Sequence, residues 1–174
     1  MDRLWSPWRY TYISKNEPAA GTKGQSGSGC FFCDKSAANN DAENLIVYRG
    51  QLNFILLNLY PYTSGHVMVA PYKHVASLID ADDDILTEMM LLTRATETHL
   101  RAIYRPDGLN IGMNIGNAAG AGVPDHIHMH VLPRWTGDAN FMTTVGETRV
   151  LPEDLTETYR RLSAAFQGLN PDQR

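Results

Sequence analysis

Short apolar runs alternate with one long periodic segment along the 174-residue chain. The runs at residues 45–48, 53–57 and 66–70 are rich in β-branched and aromatic residues and are bounded by turn residues. This composition predicts three strands, the first two of which form a hairpin. Two more strands are predicted at residues 109–114 and 127–132, on either side of a glycine-rich loop.

Two segments show helical periodicity. Apolar side chains recur at steps of three and four from Ile85 to Ile103, directly after the carboxylates of residues 80–84. This pattern predicts a long helix that ends near Arg105. A last helix is predicted to open with Pro152 in its first turn. The apolar face of this last helix consists of Leu155, Tyr159, Leu162 and Phe166.

Strands that flank one long helix and are mostly joined by turns indicate an antiparallel α+β domain rather than a series of βαβ units. We therefore expect an antiparallel sheet of about five strands with one long helix and a C-terminal helix. Residues 16–29 form a low-complexity segment that ends in a Gly/Ser-rich stretch and is typical of a flexible linker. The expected organisation is an N-terminal arm with its linker at residues 1–29 and one domain at residues 30–174.

The formal net charge of −4 argues against a protein that binds nucleic acid or an anionic membrane, since no field of positive charge is present. No apolar run approaches the roughly 20 residues that span a bilayer. The first residues are aromatic and charged, unlike a secretory signal. These features predict a soluble cytoplasmic protein without a nucleic-acid or membrane partner.

Cys30 and Cys33 are the two cysteines and have C-x-x-C spacing. In a reducing compartment this motif is a redox pair, half of a metal site or two ordinary thiols. The Gly/Ser-rich stretch before it does not provide the strand that a thioredoxin-like motif follows. A metal site requires two further ligands from elsewhere in the chain.

His126, His128 and His130 alternate with apolar residues. Successive residues of a strand point to opposite faces, so the three imidazoles are expected on one face and the apolar residues between them in the core. Three adjacent imidazoles cannot all be charged cheaply without an anion or a metal to compensate. The pattern therefore predicts a polyanionic ligand, a metal, or both.

The loop before the histidines contains Gly116, Gly120 and Gly122. Glycines leave backbone N–H groups uncovered, and such groups can cradle phosphate oxygens. Beside three histidines, this loop favours a phosphate-containing ligand. Trp135 follows the histidines closely enough to reach a base or a neighbouring subunit.

Residues 126–132 resemble the signature of the histidine triad (HIT) superfamily of nucleotide hydrolases and transferases, in which three histidines alternate with apolar residues. Residues 54–71 are similar to the family's ribose-binding segment. Further motifs resemble a bacterial branch, the diadenosine tetraphosphate (Ap4A) phosphorylases: residues 4–9, 58–62 and 119–122, and the stretch from residue 133 to 141. The resemblance implies a HIT-like fold and a homodimer.

The resemblance also implies roles for individual residues. His128 would attack the α-phosphorus to form a nucleotidyl-histidine intermediate, and His130 would hydrogen-bond the α-phosphate oxygens. His66 matches a further histidine near the phosphates. Asn58 matches the ribose-binding asparagine, and Asn114 matches a polar residue that contacts the phosphate chain.

One departure from the family pattern concerns the positions just before the first histidine. The family often has Ser or Thr three residues before the first histidine and Gln just ahead of that residue, whereas this chain has Val123 and Gly122 at these two positions. Backbone N–H groups would then replace side-chain hydrogen bonds to the leaving phosphates. The change also leaves room for inorganic phosphate as the acceptor.

Some members of the superfamily bind structural zinc through a C-x-x-C motif, a later histidine and the first triad histidine. By this resemblance the ligands here are Cys30, Cys33, His74 and His126, a normal tetrahedral set. The alternatives are two reduced thiols without metal, or a catalytic zinc on His126, His128 and His130.

The resemblance implies an enzyme that transfers a nucleotidyl group from a dinucleoside polyphosphate, foremost by phosphorolysis of Ap4A to ADP and ATP. Hydrolysis of Ap4A, Ap3A or nucleoside phosphoramidates is the alternative reaction. A nucleotide-binding module without catalysis and a zinc-dependent hydrolase are the alternatives from other classes.

Overall fold

A computed structural model of the chain describes residues 29–148 and 150–168. The predicted arm and linker at residues 1–29 lie outside this part except for Gly29. The division of the chain at residue 30 therefore stays a prediction.

The described residues form a sheet of five strands in the order β1-β2-β3-β5-β4, and every neighbouring pair is antiparallel. The predicted antiparallel α+β fold is therefore confirmed. The second strand has the predicted bounds, and the other four differ from the predicted bounds by one or two residues at each end. The strands are β1 (Ile46–Arg49), β2 (Asn53–Leu57), β3 (Val67–Pro71), β4 (Gly108–Gly112) and β5 (Met129–Arg134).

The long helix ends close to where the sequence predicts, before Arg105. The last helix begins after Asp154, whose carboxylate accepts a hydrogen bond from the Glu157 N–H. The prediction that Pro152 lies in its first turn is therefore wrong, because this cap sets the start at Leu155, three residues later. The helices are α1 (Phe31–Ala37), α2 (Asp41–Asn44), α3 (Asp83–Tyr104), α4 (Phe141–Thr144) and α5 (Leu155–Gln167).

Three of these helices, α1, α2 and α4, were not predicted because each is too short to show a helical period. Single 3₁₀ turns occur at Leu78–Asp80 and Asn117–Ala119. Within the described residues, no helix combines the length and the apolar character needed to cross a membrane.

The sheet has an apolar layer on each face. On one face α3 and α5 pack on a core that includes Val67, Val69, Ile127 and Val131. On the opposite face Phe32 of α1 packs with Phe54, Leu56, Met68 and Ala70. Because β2 and β3 are buried on both faces, their sequences are continuous apolar runs rather than alternating ones.

A carboxylate on α3 holds the turn between β1 and β2. Glu88 accepts hydrogen bonds at 2.7 Å from the backbone N–H groups of Gln51, Leu52 and Asn53, and one at 2.9 Å from the Asn53 side chain. Burial raises the pKa of Glu88, but these hydrogen bonds outweigh it and hold the pKa below its ordinary value. Glu88 thereby joins the long helix to the sheet.

We predict that Glu88→Gln lowers the free energy of unfolding by about 2 kcal/mol. The amide carries no negative charge, and its own N–H group would face the N–H donors that the carboxylate now accepts from. Urea unfolding measures the effect. Glu97→Gln is the matched control, because Glu97 pairs with the exposed Arg101 one turn away and such pairs contribute about 0.3–0.5 kcal/mol. Equal losses in the two variants would contradict a stabilising role for Glu88.

Candidate active site

The three alternating histidines lie on the face of the sheet that α1 covers. His130 belongs to β5, whereas His126 and His128 belong to the segment that leads into it. The rings of His128 and His130 contact each other with centroids 4.8 Å apart. Ile127 and Val131, which alternate with the histidines, are buried in the core on the opposite face. The segment from residue 126 to residue 130 thus presents three imidazoles to one face of the sheet, and only the last of them, His130, lies within β5.

The side chain of His128 is held as one tautomer. Its Nδ1 lies 2.9 Å from the backbone carbonyl oxygen of His126. A carbonyl can only accept, so Nδ1 carries the hydrogen and Nε2 keeps its lone pair. His128 is only 4% exposed, and burial lowers its pKa. The ring is therefore a neutral imidazole with a nucleophilic Nε2 at pH 7.

A second pair of imidazoles lies next to it. The backbone N–H of Tyr62 donates to Nδ1 of His66 at 3.2 Å, so His66 carries its hydrogen on Nε2. That Nε2 donates to Nδ1 of His130 at 2.9 Å, which leaves His130 with a hydrogen on its own Nε2. Burial, together with the Coulombic effect of His128, lowers the pKa of His130 to about 4. His130 is thus a neutral hydrogen-bond donor.

Asn58 takes part in the same chain of hydrogen bonds. Its Nδ2 lies 3.4 Å from Nδ1 of His66, and its Oδ1 accepts a hydrogen bond of 2.9 Å from the Tyr60 N–H. The structure therefore brings the predicted ribose-binding residue next to His66 and, through it, close to His130.

A cluster of four ligand atoms lies at the other end of the histidine segment. Cys30, Cys33, His74 and His126 place one ligand atom each within 4.8 Å of one another. Nδ1 of His126 is 3.3 Å from Sγ of Cys30 and 3.6 Å from Sγ of Cys33, and Nδ1 of His74 is 3.4 Å from Sγ of Cys33.

These distances fit a metal ion. Zinc bonds of about 2.3 Å to sulfur and 2.0–2.1 Å to nitrogen separate the two ligands by about 3.6 Å in a tetrahedral site. Nε2 of His126 donates to the Pro71 carbonyl at 2.9 Å, so the lone pair on Nδ1 faces the thiols. A hydrogen bond from the second nitrogen to a carbonyl is the usual arrangement for a histidine that binds metal. The four side chains can therefore hold a metal ion.

The predicted phosphate loop lies beyond β4. Gly112, the last residue of β4, pairs with His130, so the chain towards Asn114 leaves from beside the histidine face. Gly116 and Gly120 have φ angles of +79° and +84°, a left-handed conformation that glycine adopts without strain. Gly120 and Gly122 are exposed.

Trp135 follows β5 directly. Its ring lies 6.4 Å from that of Tyr104, and both rings line a cavity. The structure places this predicted base-contacting residue on the wall of that cavity.

Sequence reasoning missed two aromatic residues of the site. The ring of Phe32 packs on His126 and His128 with centroids 5.1 and 4.7 Å apart. The ring of Tyr62 lies 4.8 Å from that of His66. The position of Phe32 between the two cysteines was a usable signal, whereas Tyr62 lies in a turn without any periodic pattern.

Comparison with known proteins supports this description. The family model of the HIT domain matches residues 39–137. The AP-4-A phosphorylase of Mycobacterium tuberculosis is 39% identical over 166 residues, which cover 95% of this chain and 85% of that protein.

Solved structures agree. A Zn-bound histidine triad family protein from Mycobacterium smegmatis has a TM-score of 0.65 and 29% identity, over 80% of this chain and 94% of that one. A hypothetical histidine triad nucleotide-binding protein from Sulfolobus tokodaii has a TM-score of 0.61 and 26% identity, over 79% and 92% of the two chains. The chain belongs to the HIT family and is a HIT-family enzyme.

Proposed function

We propose that this protein cleaves Ap4A by phosphorolysis to ADP and ATP through a nucleotidyl-histidine intermediate at His128. The observation that carries the proposal is the tautomer of His128, whose Nδ1 donates to the His126 carbonyl and whose Nε2 keeps a lone pair. The similarity to a protein named AP-4-A phosphorylase supports the choice of substrate.

In the first step Nε2 of His128 forms a bond to the α-phosphorus of Ap4A, and the bond from that phosphorus to the bridging oxygen breaks. ATP leaves and AMP stays on the histidine. The ring then carries a positive charge, which the hydrogen bond to the His126 carbonyl stabilises. In the second step an oxygen of inorganic phosphate attacks the same phosphorus, releases ADP and restores the neutral imidazole.

The neighbouring residues bind the substrate. His130 donates its Nε2–H to the α-phosphate oxygens, where negative charge increases in the transition state. His66 holds His130 in the tautomer that makes this possible. Asn58 binds the ribose and Asn114 contacts the phosphate chain. Backbone N–H groups at Gly120 and Gly122 contact the leaving phosphates.

We expect the wild-type protein, incubated with Ap4A and inorganic phosphate, to yield ADP and ATP in equal amounts. Without phosphate, turnover should stop after one equivalent of ATP per site, since no acceptor removes AMP from His128. Chromatographic identification of the nucleotides measures both results.

Two other results would overturn the proposal in different ways. ATP plus AMP formed at the same rate with and without phosphate would identify a hydrolase. Tight binding of Ap4A without any product would identify a nucleotide-binding module.

We expect His128→Ala to lower kcat by roughly 10³-fold or more, because no other group replaces the nucleophile. Mass spectrometry of the wild-type protein without phosphate should find AMP bound at His128 and none in the variant. His99→Gln is the control, since His99 packs on Phe166 under the opposite face of the sheet. Full activity of His128→Ala, with its fold verified by circular dichroism, would exclude covalent catalysis by this residue.

We propose further that Cys30, Cys33, His74 and His126 hold a structural zinc ion. When bound, the ion would link α1 to the segment before β5 and keep the His126 ring neutral beside His128. The donor set of two thiols and two imidazoles supports this assignment, as does the Zn-bound relative from M. smegmatis.

We expect Cys33→Ser to lose the zinc and to lower Tm, since the fourth ligand is missing. Metal analysis should find one zinc per wild-type chain and far less in the variant. A strong chelator should lower the Tm of the wild-type protein to that of the variant and leave the variant unchanged. A chelated protein that keeps its Tm but loses activity would instead indicate a catalytic metal on His126, His128 and His130.

The proposed setting is a homodimer in the cytoplasm. β4 lies at one edge of the sheet and Ile111 on it is 43% exposed, and an edge of this kind favours pairing with another chain.

A further inference from the structure

A buried hydroxyl joins the turn between β2 and β3 to the strand β5. Thr63 lies in this turn, three residues before His66. It is only 8% exposed, and its Oγ1 donates to the backbone carbonyl of Pro133 at 3.0 Å. Pro133 belongs to β5 and follows His130 by three residues. The hydroxyl of Thr63 therefore connects the turn that leads to His66 with the strand that carries His130.

This contact closes a cycle of hydrogen bonds and short stretches of chain. The N–H of Tyr62, next to Thr63, donates to Nδ1 of His66 at 3.2 Å, and Nε2 of His66 donates to Nδ1 of His130 at 2.9 Å. From His130 the backbone of β5 leads to Pro133, whose carbonyl accepts the hydrogen bond from Thr63. The cycle restricts both imidazoles, because neither ring can turn without straining another member.

Close packing fixes the part of the turn that follows Thr63. At Gly65 (φ +78°) a Cβ would lie 2.9 Å from the ring of Tyr104 and 3.3 Å from the ring of Pro133. The N–H of Tyr62 lies on the other side of Thr63 along the chain. The hydroxyl of Thr63 thus holds the part of the turn that this packing does not reach.

The hydroxyl is also the member of the cycle that can be removed alone. The groups of Tyr62 and Pro133 are backbone atoms, and the other members are the two imidazoles themselves. Valine has the same branching at Cβ as threonine, with a methyl group in place of the hydroxyl. Thr63→Val therefore opens the cycle without leaving a cavity.

We propose that Thr63 is a positioning residue for the reaction. Through the Tyr62 N–H and His66, its hydroxyl keeps the Nε2–H of His130 directed at the α-phosphate. This inference rests on the proposed function, in which His130 donates to the α-phosphate oxygens as negative charge increases there. An interaction that strengthens in the transition state affects kcat rather than KM.

We expect Thr63→Val to lower kcat for Ap4A roughly five- to tenfold, as for one lost hydrogen bond, and to change KM by less than about twofold. Thr93→Val is the matched control. Thr93 is 2% exposed, and its Oγ1 donates to the Met89 carbonyl at 2.7 Å within α3, which packs on the opposite face of the sheet. The control variant loses an equally buried hydroxyl and should keep the wild-type kcat.

Thr63→Ser separates positioning from stability. Serine keeps the hydroxyl but removes a buried methyl group, so the Tm should fall while kcat stays within about twofold of the wild-type value. A residue with a structural role alone would instead lower kcat in step with Tm.

NMR of the imidazole nitrogens, without substrate, measures the positioning directly. A nitrogen that carries a hydrogen and one that keeps a lone pair differ in chemical shift, and each shift responds to the hydrogen-bond partner. We expect the ring-nitrogen resonances of His66 and His130 to move in Thr63→Val. They should keep their wild-type positions in Thr63→Ser and Thr93→Val.

Four results would contradict the proposal. Equal losses of kcat in Thr63→Val and Thr93→Val would show a structural role, as would a Thr63→Ser variant that loses as much kcat as Thr63→Val. A change confined to KM would assign Thr63 to substrate binding. Unchanged resonances of His66 and His130 in Thr63→Val would show that the hydroxyl does not hold these rings. If the wild-type protein turns over no Ap4A, the proposed function is wrong, and the NMR comparison alone decides the positioning.

Discussion

Hydrogen bonds between imidazoles and backbone groups determine what the whole site can do. A neutral imidazole has one hydrogen, so a fixed partner on one nitrogen decides the role of the other. The Pro71 carbonyl leaves Nδ1 of His126 free for a metal, and the His126 carbonyl leaves Nε2 of His128 free for phosphorus. The Tyr62 N–H donates to Nδ1 of His66, so Nε2 of His66 donates to Nδ1 of His130 and leaves Nε2–H of His130 as a donor. Three backbone atoms thus fix which nitrogen carries the hydrogen in each ring, and they give the same kind of side chain three different chemical capacities.

The candidate metal centre and the candidate nucleophile share His126. Its ring faces the two thiols, while its carbonyl holds the ring of His128. Phe32, between the cysteines, packs on both rings. Any displacement of α1 would therefore affect the position of the His128 ring in two ways. One is through His126 and its carbonyl, and the other is through the contact with Phe32. An ion bound at the proposed site would therefore influence His128 without touching a substrate.

The sequence predicts those parts of the structure that depend on local patterns. The apolar run predicts β2 and the helical period predicts α3. The four candidate metal ligands that the structure brings together are those implied by the resemblance. The predicted start of α5 was wrong because the N-cap at Asp154 outweighed the preference of Pro152 for the first turn of a helix. α1 is too short for a period. The cavity could not be predicted, since its wall combines a turn, the end of α3 and the chain after β5, and no short stretch of sequence encodes their proximity.

Neutral histidines also suit turnover of a polyanion. Charged donors would bind the substrate, the intermediate and the products with similar strength. Binding that is equally strong in every state does not raise kcat. His130, with a pKa of about 4, instead offers an uncharged N–H, and in the proposed mechanism its hydrogen bond strengthens as negative charge moves onto the phosphate oxygens. The affinity that neutral donors do not supply must come from parts of the substrate away from the reacting phosphorus. In the proposed mechanism, contacts with these distant parts supply affinity that stays the same throughout the reaction, while the histidines respond to the transition state.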